Sequence, residues 1–377
     1  MTREAEVRAA GRLAGDGLGG LVGIVGEVHR AVAGRVERRL APAGVSPSRT
    51  TRPLSGYVYA TVELGLRAAA AVGSEVLVRR GGPEAPAPSQ TPGGRALQSV
   101  VNGLWGDHIE EHHPAVAVAM STRVDGEPTG HLVVFLHGLA ESDEVWRLGH
   151  DPHDPDTTPY GDRLRDAHER TPVYLRYNAG LRVRENGSRA SELLEALVGS
   201  WAVPVESISL VGHSMGGLVA RYAAHEGHQR GAAWVQALRT VITLGTPHLG
   251  APLAGGADAV HRALQRVPEV EPLSRVLGSR SVGVHDLHHG SDVPFVDSAT
   301  YYFVAATLTR DARHPAGVLL GDGLVRYPSA SGRNRTRHIG FEINNGAHVT
   351  GVTHLGLLNN SDVYPYLRRW LVGEEER

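Results

Sequence analysis

A serine between glycines follows a short apolar run near the middle of the chain. Residues 208–211, Ile-Ser-Leu-Val, are mostly apolar, Gly212-His213-Ser214-Met215-Gly216 comes next, and helix-forming residues continue from 217 to 228. A G-x-S-x-G turn between a strand and a helix raises its serine hydroxyl above the edge of a sheet. The two glycines suit a turn in which a Cβ would collide with the facing backbone. This pattern predicts that Ser214 is a nucleophile.

A serine nucleophile needs a base and an acid that orients the base. His354, on a loop just before the last predicted helix, is the candidate base, and Asp322 in Gly321-Asp322-Gly323 is the candidate acid. An Asp-Gly pair is also a common turn signal. His348 and Asp311 stay open as alternatives, because each lies nearer to the end of a predicted strand.

Two main-chain N–H groups are the candidate donors to an oxyanion. Met215 begins the helix after the serine, where N–H groups have no partner inside the helix. Leu139 follows His137-Gly138 at the end of the apolar run 132–136, and this turn can aim its N–H at the space above Ser214. We interpret the His137 side chain as structural, so this loop is expected to act through its backbone.

Composition excludes several classes of protein. The 377 residues are 41% hydrophobic and 21% charged, as in ordinary globular proteins, and the net charge of −2 provides no electrostatic basis for binding nucleic acid. Cysteine is absent, which excludes disulfides and thiolate zinc sites. No apolar run approaches the ~20 residues of a membrane span and no secretion signal is evident, so we expect a cytoplasmic protein.

Metal-capable side chains are concentrated in residues 150–156. Their spacing matches no known ligand pattern, and two prolines stiffen the stretch. We interpret this stretch as a solvated loop and expect neither a metal nor a cofactor.

The order of predicted elements indicates an α/β architecture. Helices are predicted over residues 188–201, 218–228 and 363–372. Strands alternate with them and are predicted over residues 115–120, 132–136, 172–177, 208–211, 241–244, 301–306 and 337–343. Such alternation indicates a mostly parallel sheet with helices on both faces, whose sites form at the carboxyl ends of the strands.

Four segments between residues 114 and 371 carry a more specific resemblance. They are FLHGL at 135–139, VGHSMGG at 211–217, LGTPHLG at 244–250, and GDGLV at 321–325 followed by HLGLL at 354–358. With them the chain resembles the α/β-hydrolase superfamily, in particular bacterial esterases and lipases of the triacylglycerol lipase and GPI inositol-deacylase-like kind. The resemblance implies the α/β-hydrolase fold, a triad of Ser214, Asp322 and His354, and oxyanion donation by Leu139 and Met215.

Two parts of the chain match this family least. Residues 1–112 are predicted to form a helical extension, with helices over 18–40, 57–78 and 96–111 and a linker at about 81–94, before a hydrolase domain over 113–377. Within that domain, residues 251–298 are predicted to form a lid-like or cap-like insertion whose loop holds His285, His288 and His289. The basic face of the first helix suits a peripheral membrane contact. Packing on the hydrolase domain or on a second copy, as in a homodimer, is favoured.

These observations predict a serine hydrolase that cleaves small-molecule or lipid carboxylic esters through an acyl-enzyme. Thioesterase, amidase and acyltransferase chemistry use the same triad and stay open. A non-catalytic interaction protein on a hydrolase scaffold is an alternative of another class, and the presence of every triad candidate argues against it.

Overall fold

Seven strands form one sheet, and a computed structural model describes the chain over residues 87–251, 281–342 and 344–373. The sheet order is β1-β3-β2-β4-β5-β6-β7, with β1 antiparallel to β3 and every other pair parallel. This architecture confirms the predicted α/β-hydrolase fold. The strands are β1 Ser121–Val124, β2 His131–Leu136, β3 Thr171–Arg176, β4 Ser207–His213, β5 Leu238–Leu244, β6 Thr300–Thr307 and β7 Gly346–Thr350.

Helices connect the strands and cover both faces of the sheet. They are α1 Pro92–His112, α2 Tyr160–His168, α3 Val183–Gly199, α4 Met215–Arg230, α5 Ala233–Ala237, α6 Val282–His289, α7 Pro315–Leu320, α8 Tyr327–Ala330 and α9 Tyr364–Val372. Short 3₁₀ turns lie at Pro88–Gln90, Pro114–Val116, Asp143–Arg147, Pro155–Thr157 and Leu355–Leu357.

The core lies in two layers, one on each face of the sheet. In β2, Leu132, Val134 and Leu136 pack on the face covered by α3 and α4, whereas Val133 and Phe135 pack on the face covered by α2 and α9. The alternation follows from the two-residue side-chain period of a strand. Because both faces are covered, the parallel strands are buried, and their sequences are nearly continuously apolar. Because these strands are parallel, their carboxyl ends meet at one edge of the sheet.

Helix α1 contacts the hydrolase body directly. Its Asn102 side chain donates to Val116 O at 3.0 Å and accepts from the Val118 N–H at 2.9 Å. The Asn178 amide after β3 donates to Gly106 O at 2.9 Å. The helix predicted over 96–111 is therefore present, and buried polar contacts attach it to the sheet domain.

Three predicted elements are wrong. Residues 115–120 do not form a strand: Pro114, which favours the first position of a helical turn, starts a 3₁₀ turn, and the edge strand comes later, at Ser121–Val124. Residues 337–342 make only the isolated bridge Arg333↔His338, and the last strand is β7. The histidines at 285, 288 and 289 lie in helix α6, capped by the Ser281 side chain, and not in a loop.

Several predictions fall outside the described residues. These are the helices over 18–40 and 57–78, residues 81–86 of the linker predicted at about 81–94, and residues 252–280 of the predicted insertion. The rest of that linker contains the 3₁₀ turn Pro88–Gln90 and the start of α1. The domain boundaries and the membrane or subunit contacts of the extension stay predictions. Within the described ranges, no helix combines the length and apolarity that crossing a membrane requires.

One buried amide ties together the loops around the carboxyl edge. Asn359, between the turn at 355–357 and α9, has a left-handed φ of 50°, a conformation that asparagine tolerates better than most residues. Its Nδ2 donates to Trp146 O at 2.9 Å and Leu148 O at 3.0 Å. Its Oδ1 accepts from the Tyr160 N–H at 3.2 Å. The Asn359 side chain thereby links the segment before α9 to the turn at 143–148 and to the start of α2.

We expect Asn359→Ala to lower the free energy of unfolding by ~2–3 kcal/mol, since it leaves buried backbone groups without partners at a backbone conformation that alanine disfavours. Urea denaturation measures this change. Gln236→Ala removes an exposed amide and should change stability by less than ~0.5 kcal/mol. Equal effects of the two substitutions would contradict this role of Asn359.

Candidate active site

Ser214 lies on a strained turn between β4 and α4. Its φ of 53° and ψ of −122° are unfavourable for a residue with a side chain. The Ser214 N–H donates to Leu244 O at 2.8 Å, which ties the turn to the end of β5. A Cβ at Gly212 would overlap the backbone of Gly217, and one at Gly216 would overlap Leu136 O. The predicted requirement for both glycines therefore has a direct steric cause.

Asp322 and His354 form a buried pair at the same edge. His354 Nδ1 lies 2.8 Å from Asp322 Oδ2, and the two side chains are 6% and 1% exposed. The other carboxylate oxygen accepts the N–H groups of Leu324 at 2.9 Å and Val325 at 2.7 Å. A carboxylate only accepts, so Nδ1 carries a proton. In the neutral imidazole this leaves Nε2 with a lone pair, as a general base requires.

The loops bring this pair beside the serine turn. The His354 carbonyl accepts from His213 Nε2 at 3.1 Å, so the base and the residue before Ser214 are in direct contact. A Cβ at Gly245, just after β5, would lie 3.1 Å from the His354 ring. The Ser214 hydroxyl makes no hydrogen bond within the described residues. Looser nucleophile–base geometry is common before substrate binds.

The two alternative triad residues lie apart from this cluster. His348 is inside β7, not beyond it, and its Nε2 lies 3.2 Å from Thr307 Oγ1. Burial lowers the pKa of His348. Asp311 is exposed and accepts the Arg313 N–H of its own turn at 2.9 Å. The corrected position of the last strand explains the first case: the sequence predicts a last strand that ends before His348, whereas His348 lies within β7.

The candidate oxyanion donors flank the serine. The N–H groups of Leu139 and Met215 make no hydrogen bond within the described part of the chain, so both remain available to a ligand. His137 Nε2 accepts from the Tyr177 N–H at 3.3 Å, and Nδ1 therefore donates to Gly138 O at 2.9 Å. Burial lowers the pKa of His137, consistent with a neutral ring. The side chain of His137 supports the loop, as we interpreted it from the sequence.

Sequence reasoning missed two charged residues next to this loop. Glu141 Oε2 accepts the Gly138 N–H at 2.6 Å, and Glu141 Oε1 lies 3.0 Å from Nδ1 of His213, which is fully buried. Burial alone would lower the pKa of His213, but the charge of Glu141 raises it on balance. Burial alone would raise the pKa of Glu141, but His213 lowers it. His213 occupies the first variable position of the G-x-S-x-G pattern, which carries no signal for such a pair.

The LGTPHLG segment has a supporting role. His248 is buried, and its Nδ1 accepts from Arg221 of α4 at 3.0 Å while Nε2 lies 3.1 Å from Thr243 Oγ1. Burial lowers the pKa of His248 well below its usual value, and Arg221 lowers it further. A neutral His248 thus connects the loop after β5 to the helix that follows the serine.

Residues 151–156, which contain most of the metal-capable cluster, are exposed. Among the described residues, no group of three or more histidine, cysteine, aspartate or glutamate side chains is arranged to hold a metal ion.

The Glu141–His213 pair makes the stability of the fold depend on pH. A group whose pKa is raised on folding stabilises the fold fully at pH below its unfolded-state pKa, and this stability is lost as pH rises through its folded-state pKa. A group whose pKa is lowered on folding stabilises the fold at pH above its unfolded-state pKa, and this stability is lost as pH falls through its folded-state pKa. The unfolded values are 6.5 for His213 and 4.5 for Glu141.

We therefore expect the advantage of the parent protein over Glu141→Gln in free energy of unfolding to be greatest between about pH 4.5 and 6.5. It should decline as pH rises through the raised pKa of His213. Denaturant titrations of both proteins from acid to alkaline pH provide the measurement. A difference that does not vary with pH would show that the pair is not charged in the folded state.

Comparison with solved structures gives distant likenesses. The mature form of Bacillus licheniformis lipase BlEst2 is 18% identical with a TM-score of 0.43, over 67% of this chain and 98% of the lipase. An α/β-hydrolase fold protein from Chitinophaga pinensis is 11% identical with a TM-score of 0.43, over 68% and 95%. A lipase-esterase related protein from Clostridium acetobutylicum is 11% identical with a TM-score of 0.39, over 67% and 99%. At these values the fold assignment rests on this chain's own strand order.

The family comparison is more specific. No curated protein matches the chain. Residues 127–268, less than half of the chain, match the family described as "Putative serine esterase (DUF676)". This range contains residues 137–139, which we call the oxyanion loop after the candidate donor Leu139, together with the serine turn and the LGTPHLG segment. The match supports a serine hydrolase of the α/β-hydrolase esterase and lipase group.

Proposed function

We propose that the chain hydrolyses carboxylic esters with Ser214 as nucleophile, His354 as general base and Asp322 as the orienting acid. The observation that carries the proposal is the buried Asp322–His354 hydrogen bond of 2.8 Å, which directs the basic nitrogen of the imidazole away from the acid. The family match over residues 127–268 supports the same reaction class. No cofactor takes part in this chemistry.

The reaction proceeds in two halves. His354 Nε2 removes the Ser214 proton as Oγ attacks the ester carbonyl, and the N–H groups of Leu139 and Met215 stabilise the oxyanion of the tetrahedral intermediate. Asp322 stabilises the imidazolium, which then gives its proton to the leaving alcohol. Water, deprotonated by His354, attacks the acyl-enzyme and releases the acid in the same way.

The environment of Asp322 supports its assigned role. Two main-chain N–H groups and the imidazole N–H satisfy the carboxylate of a side chain that is 1% exposed, so the charge is stabilised without access to water. The main-chain N–H of His354 also donates to the main-chain carbonyl of Asp322 at 3.0 Å, which fixes the backbone of the base relative to that of the acid. A side chain held at both ends in this way is pre-organised for catalysis.

Ser214→Ala should reduce turnover of p-nitrophenyl esters by at least ~10³-fold, because it removes the nucleophile and leaves the turn intact. The parent protein should be labelled at Ser214 by a fluorophosphonate. Assays on p-nitrophenyl esters of increasing acyl length would also define the ester class. Ser200→Ala removes an exposed hydroxyl and is the control. Turnover that survives Ser214→Ala, with no label on Ser214 in the parent, would reject the proposal.

Asp322→Asn should lower kcat by roughly 10³–10⁴-fold, as for the equivalent change in a serine protease triad, because the amide donates to Nδ1 and moves the ring proton to Nε2. Asp311→Asn changes the exposed alternative aspartate and should keep kcat within about twofold of the parent. Single-turnover ester assays on both variants compare the two candidates. A larger loss with Asp311→Asn would transfer the acid role to Asp311.

A further inference from the structure

Glu141 and His213 connect three parts of the candidate site. The Glu141 carboxylate accepts the Gly138 N–H at 2.6 Å and so holds the loop that presents Leu139. His213 Nδ1 lies 3.0 Å from that carboxylate, and His213 Nε2 lies 3.1 Å from the His354 carbonyl. An acceptor therefore faces each nitrogen of the His213 ring. Because donation from both nitrogens requires an imidazolium, this arrangement fits a positively charged His213.

The carboxylate lies close to the position at which negative charge would develop. A Cβ on Gly138 would lie 2.9 Å from Glu141 Oε2 and 3.0 Å from Ser214 Cβ, so the carboxylate and the serine both lie close to this position beside Gly138. An uncompensated carboxylate here would oppose an oxyanion beside Leu139, and burial would strengthen that repulsion. A protonated His213 removes the net charge and retains the hydrogen bonds.

We propose that the buried Glu141–His213 ion pair is a positioning device, which holds the oxyanion loop and the His354 backbone in place around Ser214. In this proposal the positive charge of His213 also shields the oxyanion from the negative charge of Glu141. The inference rests on the proposed esterase function and adds two residues to its machinery. Neither residue touches the reacting atoms; Glu141 acts through the Gly138 backbone and His213 acts through the His354 carbonyl.

Position within the fold supports a local role. His213 ends β4 and directly precedes the nucleophile, and its ring centroid lies 4.8 Å from that of His354. Glu141 follows the oxyanion loop by two residues, so its carboxylate turns back onto that loop's own backbone. Tyr177 fixes the same loop from the other side, since its hydroxyl donates to His137 O. The loop is thus held on both sides, with the Leu139 N–H left unpaired.

The test compares His213→Asn, Glu141→Gln and the double variant. His213→Asn leaves the Glu141 charge uncompensated and should lower kcat by about 10²-fold, the size of effect seen on removing one oxyanion donor, while KM changes by less than about threefold. Glu141→Gln removes the charge and keeps an acceptor for Gly138 N–H, so about a tenfold loss is expected. The double variant should recover at least about fivefold over His213→Asn, because no charge is then left unpaired.

Recovery of kcat in the double variant, relative to His213→Asn, distinguishes shielding of the oxyanion from simple structural support. If the pair only stabilised the fold, the second substitution would add its loss to the first. His131→Asn is the matched control, since His131 begins β2 at the opposite end of the sheet, with Nδ1 2.9 Å from Ser207 Oγ and Nε2 3.7 Å from Glu206. It should leave kcat unchanged. Thermal unfolding of every variant checks that the fold is retained.

A second measurement is independent of turnover. The proton on His354 Nδ1, which donates to Asp322, should give a low-field NMR resonance that shifts or broadens in His213→Asn and Glu141→Gln but not in His131→Asn. Turnover and fluorophosphonate labelling of the parent test the esterase function, whereas the ratios among variants and this resonance test the positioning role. A resonance unchanged in all variants, or kcat within about twofold of the parent in His213→Asn, would overturn the inference.

Discussion

The site depends on a backbone conformation that the chain would not adopt by itself. Ser214 has a φ of 53°, which costs on the order of 1–3 kcal/mol for a residue with a side chain. Burial of β4 and α4 on both sides of the turn provides the compensating stability. The hydrogen bond from Ser214 N–H to Leu244 O and the close approach of Gly216 to Leu136 O leave the chain little room to relax. The strained conformation of Ser214 therefore depends on the packing of the sheet and of α4 around it.

Buried polar groups around this turn are paired across segments that are far apart in sequence. Glu141 links to His213, His213 to the His354 carbonyl, and His354 to Asp322. Each link satisfies a group whose burial without a partner would be costly. Because each of these links joins two different segments, a displacement of one segment would leave a charge or a donor unsatisfied elsewhere. Such mutual dependence keeps a catalytic arrangement in place without a ligand.

Helix α1 extends this network into the predicted N-terminal extension. Its Gly103 approaches the backbone of Ala140, which follows the candidate donor Leu139 and has a φ of 60°. A Cβ on Gly103 would lie 2.7 Å from Ala140 N, so only glycine permits this distance. The Ser281 hydroxyl, at the start of α6, donates to Gly103 O at 2.7 Å. Helix α1 thus supports the oxyanion loop as well as the start of α6, and its packing is part of the site.

The sequence by itself determined the fold class, the serine turn and the chain order of the candidate triad. Alternating apolar runs, paired glycines and turn chemistry act over a few residues, and their patterns can be read locally. Local patterns could not separate residues 115–120 or 337–342 from true strands. An apolar run becomes a strand only when a neighbouring strand offers its backbone, as β6 does to Gly346–Thr350. Only the tertiary structure paired Asp322 with His354 and left His348 and Asp311 aside. It alone revealed the Glu141–His213 pair, because a charge relationship between residues 72 positions apart leaves no periodic signal in the sequence.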